Sequence, residues 1–182
     1  MRCSWVDESC EIYVSYHDKE WGQPVHDDRK LFEMLILEGF QAGLSWVTIL
    51  KKRAEFIKEF ADFEPNKVAY FDEAKIEKML QNKNIIRSRQ KICAAINNAA
   101  IFLKIQKEFG SFDNYLWHFT DRQTKQCNTF PGLVKNELSD TISADLKKRG
   151  MKYVGSVIIC SYLQAVGVIN GHEPQCFCCI KT

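Results

Sequence analysis

Repeats, low-complexity tracts and linker-like stretches are absent from this chain, and only four prolines interrupt its 182 residues. That excludes a repeat array or a string of modules. The length suits one substantial core, and two independent domains would be crowded. Alternating polar and apolar runs are also missing, so sheet-based folds drop out and the periodicity reads as helical almost throughout. No apolar run reaches the roughly 20 residues of a membrane span. The longest, from Tyr153 to Ile169, is broken by Ser156, Ser161 and Gln164 and reads as a buried helix. The N-terminal "MRCSWVDESCE" turns acidic instead of leading into an apolar segment, so a cytoplasmic protein is expected. A large charge of either sign is lacking as well. The net charge of +2 favours neither a membrane surface nor a polyanion, and only short basic clusters stand out, at Lys51 to Arg53, Ile85 to Lys91 and Leu146 to Lys152.

Helix signals are plentiful. Asp27 or Asp28 can cap "RKLFEMLILEGF", with Leu31, Met34, Leu35 and Glu38 on one face and Gly39 suited to the helix end. From about Ser45 a second helix carries Val47, Leu50, Ala54, Ile57 and Phe60 as its buried stripe. Two short helices follow, one with Pro65 in its first turn and one capped by Asp72. A long helix from about Ser88 to Phe109 buries Ile92, Ile96, Ala99 and Leu103 and stops at Gly110, and Ser111 starts another. The stretch from Thr120 to Pro131 reads as a loop. Two further helical patterns are separated only by "GMKYVG". Gly150 and Gly155 allow a tight turn there, and the amides near Gly155 and Ser156, ringed by Lys147, Lys148, Arg149 and Lys152, suit a phosphate. An ordinary helix connection with a solvated basic face is the plain alternative.

Eight cysteines are many for a reduced compartment, and a chain of this size needs no disulfide framework. "NGHEPQCFCCIKT" ends the sequence with His172 and Cys176, Cys178 and Cys179, while Cys3, Cys10, His17 and His26 lie near its start. A structural zinc ion takes four N or S ligands, and a Cys/His pair from each terminus would tie the ends together. The chosen set is Cys3, His17, His172 and Cys176. Cys178 and Cys179 compete for it, and reduced thiols packed in the core are an equal reading. Cys93 and Cys160 lie in apolar helical patterns and are expected in the core.

Glu38 closes a strongly apolar helix. A carboxylate there opposes the helix dipole and loses hydration, so something cationic or rich in donors should compensate, unless the side chain points outward. Trp46, Tyr13, Tyr16, Trp21 and Trp5 lie nearby in sequence. Aromatic rings around one buried carboxylate are the parts needed to hold a flat cation, such as an alkylated nucleobase.

With these motifs in view, the chain resembles the bacterial 3-methyladenine DNA glycosylase I family of the helix-hairpin-helix glycosylase superfamily. The motifs "RCSWV", "YHDKEWG", "KLFEMLILEGFQAGLSW", "ILKKR", "NIIRSRQKI", "LKKRGMKYVGS" and the terminal His/Cys cluster occur in the family's order. The resemblance implies an all-α helix-hairpin-helix glycosylase fold, one domain over residues 1–182. It implies a zinc site joining the termini through Cys3, His17, His172 and Cys176. It implies a pocket in which Glu38 and Tyr16 contact the edge of the methylated adenine and Trp46 stacks on it, with Tyr13 and Trp21 in the surrounding wall. Gly43 and Leu44 would enter the gap left in the duplex, and residues 146–156 would anchor double-stranded DNA carrying 3-methyladenine. A monomer is expected. From Val154 to His172 there is no Asp, Glu or Lys, whereas many relatives in the superfamily carry an aspartate near the start of this helix. Hydrolysis by water is therefore expected, without a Schiff base and without strand cleavage. The rival from another class is a zinc-stabilised DNA-binding module with no catalysis. A disulfide-bonded interaction protein is a distant third.

Overall fold

The computed structural model describes residues 1–127 and 132–179, and residues 128–131 of the expected loop lie outside that range. The architecture is all-α. In chain order come α1 (Glu11–Lys19), α2 (Asp28–Gln41), α3 (Trp46–Glu59), α4 (Pro65–Val68), α5 (Glu73–Gln81), α6 (Arg89–Phe109), α7 (Phe112–Trp117), α8 (Glu137–Lys148) and α9 (Ser156–Ala165), with short 3-10 turns after α3 and α7. Side-chain caps explain most of the starts: Asp27, Ser45, Asp72, Ser88, Ser111 and Asn136 each accept a backbone N–H from the first turn of their helix. Gly110, with φ +85°, ends α6 as the sequence predicts.

α2 is the central element. Every residue from Leu31 to Phe40 is buried, so this helix is enclosed on all sides rather than on the single face its periodicity suggests. Phe32 meets Phe102 of α6 edge-on at 5.0 Å, and Phe102 stacks on Phe112 of α7 at 4.1 Å. On the other side Phe40, Phe56 and Phe60 form a ring cluster with α3. From α9, the Tyr162 hydroxyl donates to the Leu31 carbonyl at 3.2 Å.

Several expectations are corrected. α1 has no capping side chain at Cys10, which is why it carries no start signal in the sequence. α2 runs past Gly39 to Gln41. Gly39 instead allows close packing, because a Cβ there would lie 3.4 Å from Cβ of Tyr153. In α3 the buried side chains are Ile49, Leu50 and Phe56, while Ala54 is exposed and Val47 and Ile57 are half-buried. The stripe is rotated because Arg53 turns inward toward two carboxylates. In α6, Ile92 and Ala99 are buried, Ile96 and Leu103 are half-buried, and Cys93 is exposed, not in the core. The apolar run after Tyr153 is helical only over α9. Gly167 then turns the chain into β2 (Ile169–Asn170), which pairs in parallel with β1 (Lys125–Gln126). That short ladder sends the C-terminal segment back toward the N-terminus.

Candidate active site and metal centre

Three helices converge on one buried point. α1 presents Tyr13, Tyr16 and His17 at i, i+3 and i+4 on one face. Tyr16 is buried beside Glu38 of α2 and Trp46, the first residue of α3. The rings of Tyr16 and Trp46 are 5.5 Å apart and tilted by 53°. Glu38 is 4% exposed, and burial alone pushes its carboxyl up to about 8. Neither a cation nor a hydrogen-bond donor among the described residues opposes that shift. Burial, and next the Glu38 charge, hold the Tyr16 phenol well above its ordinary value. Trp46 Nε1 is buried and has no acceptor. An unpaired buried donor costs about 1–3 kcal/mol, so the unpartnered N–H and the unpartnered carboxyl both lower the stability of the chain.

The cation or donor expected to compensate Glu38 is not found among the described residues, and Lys91 serves the backbone at the end of the helix instead. Lys91 Nζ donates to the carbonyls of Phe40 at 2.8 Å and Ala42 at 2.7 Å. It thereby takes up the orphan acceptors of the last turn of α2.

Behind Tyr16, Arg53 joins the same three helices. Its Nε donates to Glu33 of α2 at 2.6 Å, and Nη1 lies 2.9 Å from Glu20, which follows α1. Lys30 bridges the same two carboxylates at 3.2 and 3.1 Å. A cavity of about 160 Å³ adjoins this network, lined by Tyr16, Gln23, Val25, Met34 and Ala165 among others, and its lining excludes Glu38 and Trp46.

The remaining predicted aromatics fall into a chain of rings that runs to His172. Tyr13 packs on Trp5 at 5.0 Å, Trp5 on Trp21 at 4.9 Å, and Trp21 on His172 at 4.6 Å. Trp21 thus packs against the Cys/His group at the termini.

That group comprises Cys3, His17, His172 and Cys176, all buried, with ligand atoms within 4.8 Å of one another. Cys3 Sγ and His172 Nδ1 are 3.4 Å apart, Cys176 Sγ and His17 Nε2 3.4 Å, and Cys176 Sγ and His172 Nδ1 3.5 Å. Sulfur and nitrogen bound to one zinc ion at about 2.3 and 2.05 Å span a tetrahedral edge of about 3.6 Å, so the donor set fits. Its surroundings fit too. His17 Nδ1 is 2.8 Å from Asp18, which Arg2 grips with three bonds, and His172 Nε2 donates to the Trp21 carbonyl at 3.1 Å. Each ring is fixed by its outer nitrogen and turns the other inward. Backbone amides of Glu173 and Cys178 donate to the sulfurs of Cys3 and Cys176. Gly22, at φ +79°, has no substitute, since a Cβ would sit 2.8 Å from His172 Nε2. Of the rival ligands, His26 pairs with Asp113 at 2.7 Å, and Cys178 and Cys179 lie outside the group.

Gly43, at φ +81°, and Leu44, 38% exposed, form the tip between α2 and α3, where a Cβ on Gly43 would meet nothing. The hairpin lies between α8 and α9. Its left-handed residues are Gly150 (φ +98°) and Tyr153 (φ +55°). Gly155 has an ordinary φ of −65° and caps α9 without a side chain, leaving the amides around Ser156 open. Lys147, Lys148 and Lys152 are exposed. Arg149 is committed elsewhere: it pairs with Glu108 at 2.6 Å and Asp145 at 2.7 Å and lies over Phe109 and Tyr115.

Sequence reading missed Lys91, Arg53 and Asn98 as parts of the site. Asn98, buried in α6, donates to the Lys152 carbonyl and accepts from the Lys152 amide, each at 2.8 Å, and so clamps the hairpin. Asn98 falls among apolar residues of a long helix, and that polar interruption was the available signal.

The helical frame buries an unpartnered carboxyl beside aromatic rings and packs a hairpin with exposed lysines against the same helix. Residues 5–179 match the Methyladenine glycosylase family. The chain is 43% identical to DNA-3-methyladenine glycosylase 1 of Escherichia coli (strain K12), over 97% of this chain and 96% of that protein. A crystal structure of 3-methyladenine DNA glycosylase I is similar at a TM-score of 0.93 and 44% identity, covering 98% of this chain and 99% of the other. The Staphylococcus aureus 3-methyladenine DNA glycosylase I, solved for its 3-methyladenine recognition, is similar at 0.92 and 36% identity, over 97% and 95%. The chain belongs to the methyladenine glycosylase family.

Proposed function

We infer that this protein is a base-excision repair enzyme that hydrolyses the N-glycosidic bond of 3-methyladenine flipped out of alkylated double-stranded DNA. The observation that carries this reading is a buried, unpartnered Glu38 carboxyl beside Tyr16, whose ring packs on that of Trp46. A flat base with a donor edge and a positive charge satisfies the carboxyl and offers the rings a face to stack on.

Methylation at N3 makes the adenine cationic, so the bond to C1′ is already weak. As that bond breaks, its electron pair passes to the base, which leaves neutral and needs no proton. A water oxygen forms the new bond to C1′ and releases its proton to solvent. The protein's share is to unstack, hold and orient, and extrusion is easier at a damaged base. Glu38 and Tyr16 hold the edge of the base, and Trp46 stacks on it. Neutral adenine cannot repay the ionisation of a carboxyl whose burial resists charge, so the pocket favours the cation. Gly43 and Leu44 fill the gap in the duplex. Lys147, Lys148, Lys152 and the amides at Gly155 and Ser156 hold the backbone, while Arg149 braces the hairpin from behind. Cys3, His17, His172 and Cys176 would hold a zinc ion, which would supply a cross-link between the termini. The enzyme acts as a cytoplasmic monomer on one lesion at a time.

The test is to incubate the purified protein with methylated duplex DNA and identify released bases by chromatography, beside Glu38→Gln. Free 3-methyladenine, reduced about tenfold or more in the variant, is expected, with no borohydride-trapped adduct and no nicked strand. Tight DNA binding without base release would favour a non-catalytic module.

A further inference from the structure

α6 touches both elements assigned to the DNA, and it does so through polar side chains rather than apolar packing alone. In its first turn, Lys91 places three donors against the end of α2 and fills two with the carbonyls of Phe40 and Ala42, at 2.8 and 2.7 Å. These carbonyls bracket the root of the tip. Beyond them, Gln41 Nε2 donates to the Leu44 carbonyl at 2.9 Å and the Leu44 amide to the Gln41 carbonyl at 2.7 Å, closing the turn on itself. The tip is thus rigid at its base and free at its end. The same ammonium lies 5.9 Å from the centre of the Tyr153 ring in the hairpin. Further along the same helix, Asn98 fixes Lys152 through both backbone groups, and Asn97 Nδ2 donates to the Gly150 carbonyl at 3.0 Å.

We propose that Lys91 is a positioning residue for the reaction on duplex DNA: it sets the Gly43–Leu44 tip at a fixed offset from the hairpin, so that the element filling the gap and the element holding the strand act as one body. This rests on the reading of Gly43 and Leu44 given above. The functional demand is geometric. The hairpin fixes where the backbone runs, and the tip must enter at a defined distance from it, while the pocket itself needs neither. Losing Lys91 would release the two carbonyls to water and let the tip drift, with the pocket walls from α1, α2 and α3 still held by Arg53. A misplacement of about 1 Å is enough to cost about a hundredfold in rate.

Lys91→Met, Lys91→Arg and Leu44→Ala are to be compared with the parent chain for single-turnover release of 3-methyladenine from duplex and from single-stranded DNA, and for affinity toward free 3-methyladenine read by tryptophan fluorescence. Lys91→Met is expected to slow duplex excision about ten- to a hundredfold, to slow single-strand excision much less, and to leave free-base affinity within about twofold. Lys91→Arg, which keeps a donor for both carbonyls, should recover part of the duplex rate. A Lys91→Met chain as fast as the parent on duplex DNA overturns the proposal. So does one that loses duplex excision and free-base affinity in the same proportion, which is the behaviour of a plain helix cap. If Lys91→Met does not fold, a duplex rate in Lys91→Arg that falls no more than its free-base affinity has the same meaning. Leu44→Ala with full duplex activity would instead remove the reading of the tip, whatever Lys91 does.

Discussion

Tyr16 and Trp46 reach each other from different helices, 5.5 Å apart and 53° from parallel, so neither ring closes the face of the other. The indole N–H is left buried without an acceptor, at a cost to stability.

Replacing Trp46 by Phe tests that cost. The ring face is retained while the orphan donor, worth about 1–3 kcal/mol of burial cost, disappears. Stability of the ligand-free chain is expected to hold or rise in urea unfolding, while affinity for 3-methyladenine falls about tenfold. A parallel loss of both would mean the indole N–H serves the fold, by way of a bound water.

Glu38 makes stability depend on pH in an unusual direction. Its folded carboxyl titrates near 8, against 4.5 unperturbed. In the unfolded chain it ionises first, so the native state binds more protons between those values and stability drops as pH rises. Relative to Glu38→Gln, the parent should be equally stable below about pH 4.5 and should lose ground progressively to pH 8. The full deficit is on the order of 5 kcal/mol and levels off above that pH. Taking the difference cancels the other titrating groups. Unfolding curves for the two chains that stay parallel across this range would show that the carboxyl is not buried as a neutral acid.

The same carboxyl is expected to govern the rate. If the ionised form holds the cationic base, kcat/KM on methylated duplex reports the free enzyme's ionisation. It should rise with pH up to about 8, and Glu38→Gln should be lower and flat. A parent profile that is already flat from pH 6 to 9 would argue that the base, not the enzyme, sets the protonation state.

How much of this was legible beforehand follows from how local each signal is. The capping residues Asp27, Ser45, Asp72, Ser88 and Ser111 announced their helices because a cap is a contact within four residues. α1 announced nothing, since its stability comes from Tyr16 and His17 packing against distant segments. Cys93 and Ala54 were misplaced because periodicity gives a helix's apolar face only to within a residue or so, and an inward Arg53 paired with Glu33 rotates it. Of the site, Glu38, Tyr16 and Trp46 could be picked out by chemistry and resemblance. Lys91 could not, because its partners are carbonyls about 50 residues away, and backbone acceptors leave no trace in a sequence.

Removing the metal tests the terminal clasp. Cys176→Ser deletes one sulfur from a buried set of four. The parent chain is expected to bind one zinc ion and the variant none. Because structural zinc contributes folding free energy directly, and each kcal/mol shifts the melting temperature of a chain this size by about 2–4 °C, a drop of about 10 °C is expected. Metal analysis and calorimetry check both. A variant that keeps stoichiometric zinc would shift the ligand role to Cys178 or Cys179.

Arg53 is the last point at which the pocket's frame can be probed. It sits between Glu33 and Glu20, with its side chain 14% exposed and that of Glu33 11%. Arg53→Met keeps much of the volume but leaves two carboxylates facing a single cation, Lys30. Breaking a buried pair from one side costs about 3–5 kcal/mol, and the loss is expected near the lower figure because Lys30 remains. The pH dependence supplies a check. In the parent, burial acts to raise the Glu20 carboxyl, but Arg53 and Lys30 outweigh it and hold the group below its ordinary range, so the stability it contributes is present above pH 4.5 and fades as acid protonates it. The Arg53→Met deficit should therefore be largest at neutral pH and shrink below pH 4.5, where a neutral Glu20 no longer needs the guanidinium. A deficit that persists undiminished into acid would mean that Arg53 holds α1, α2 and α3 together by packing, and that the charges behind Tyr16 are incidental to the pocket.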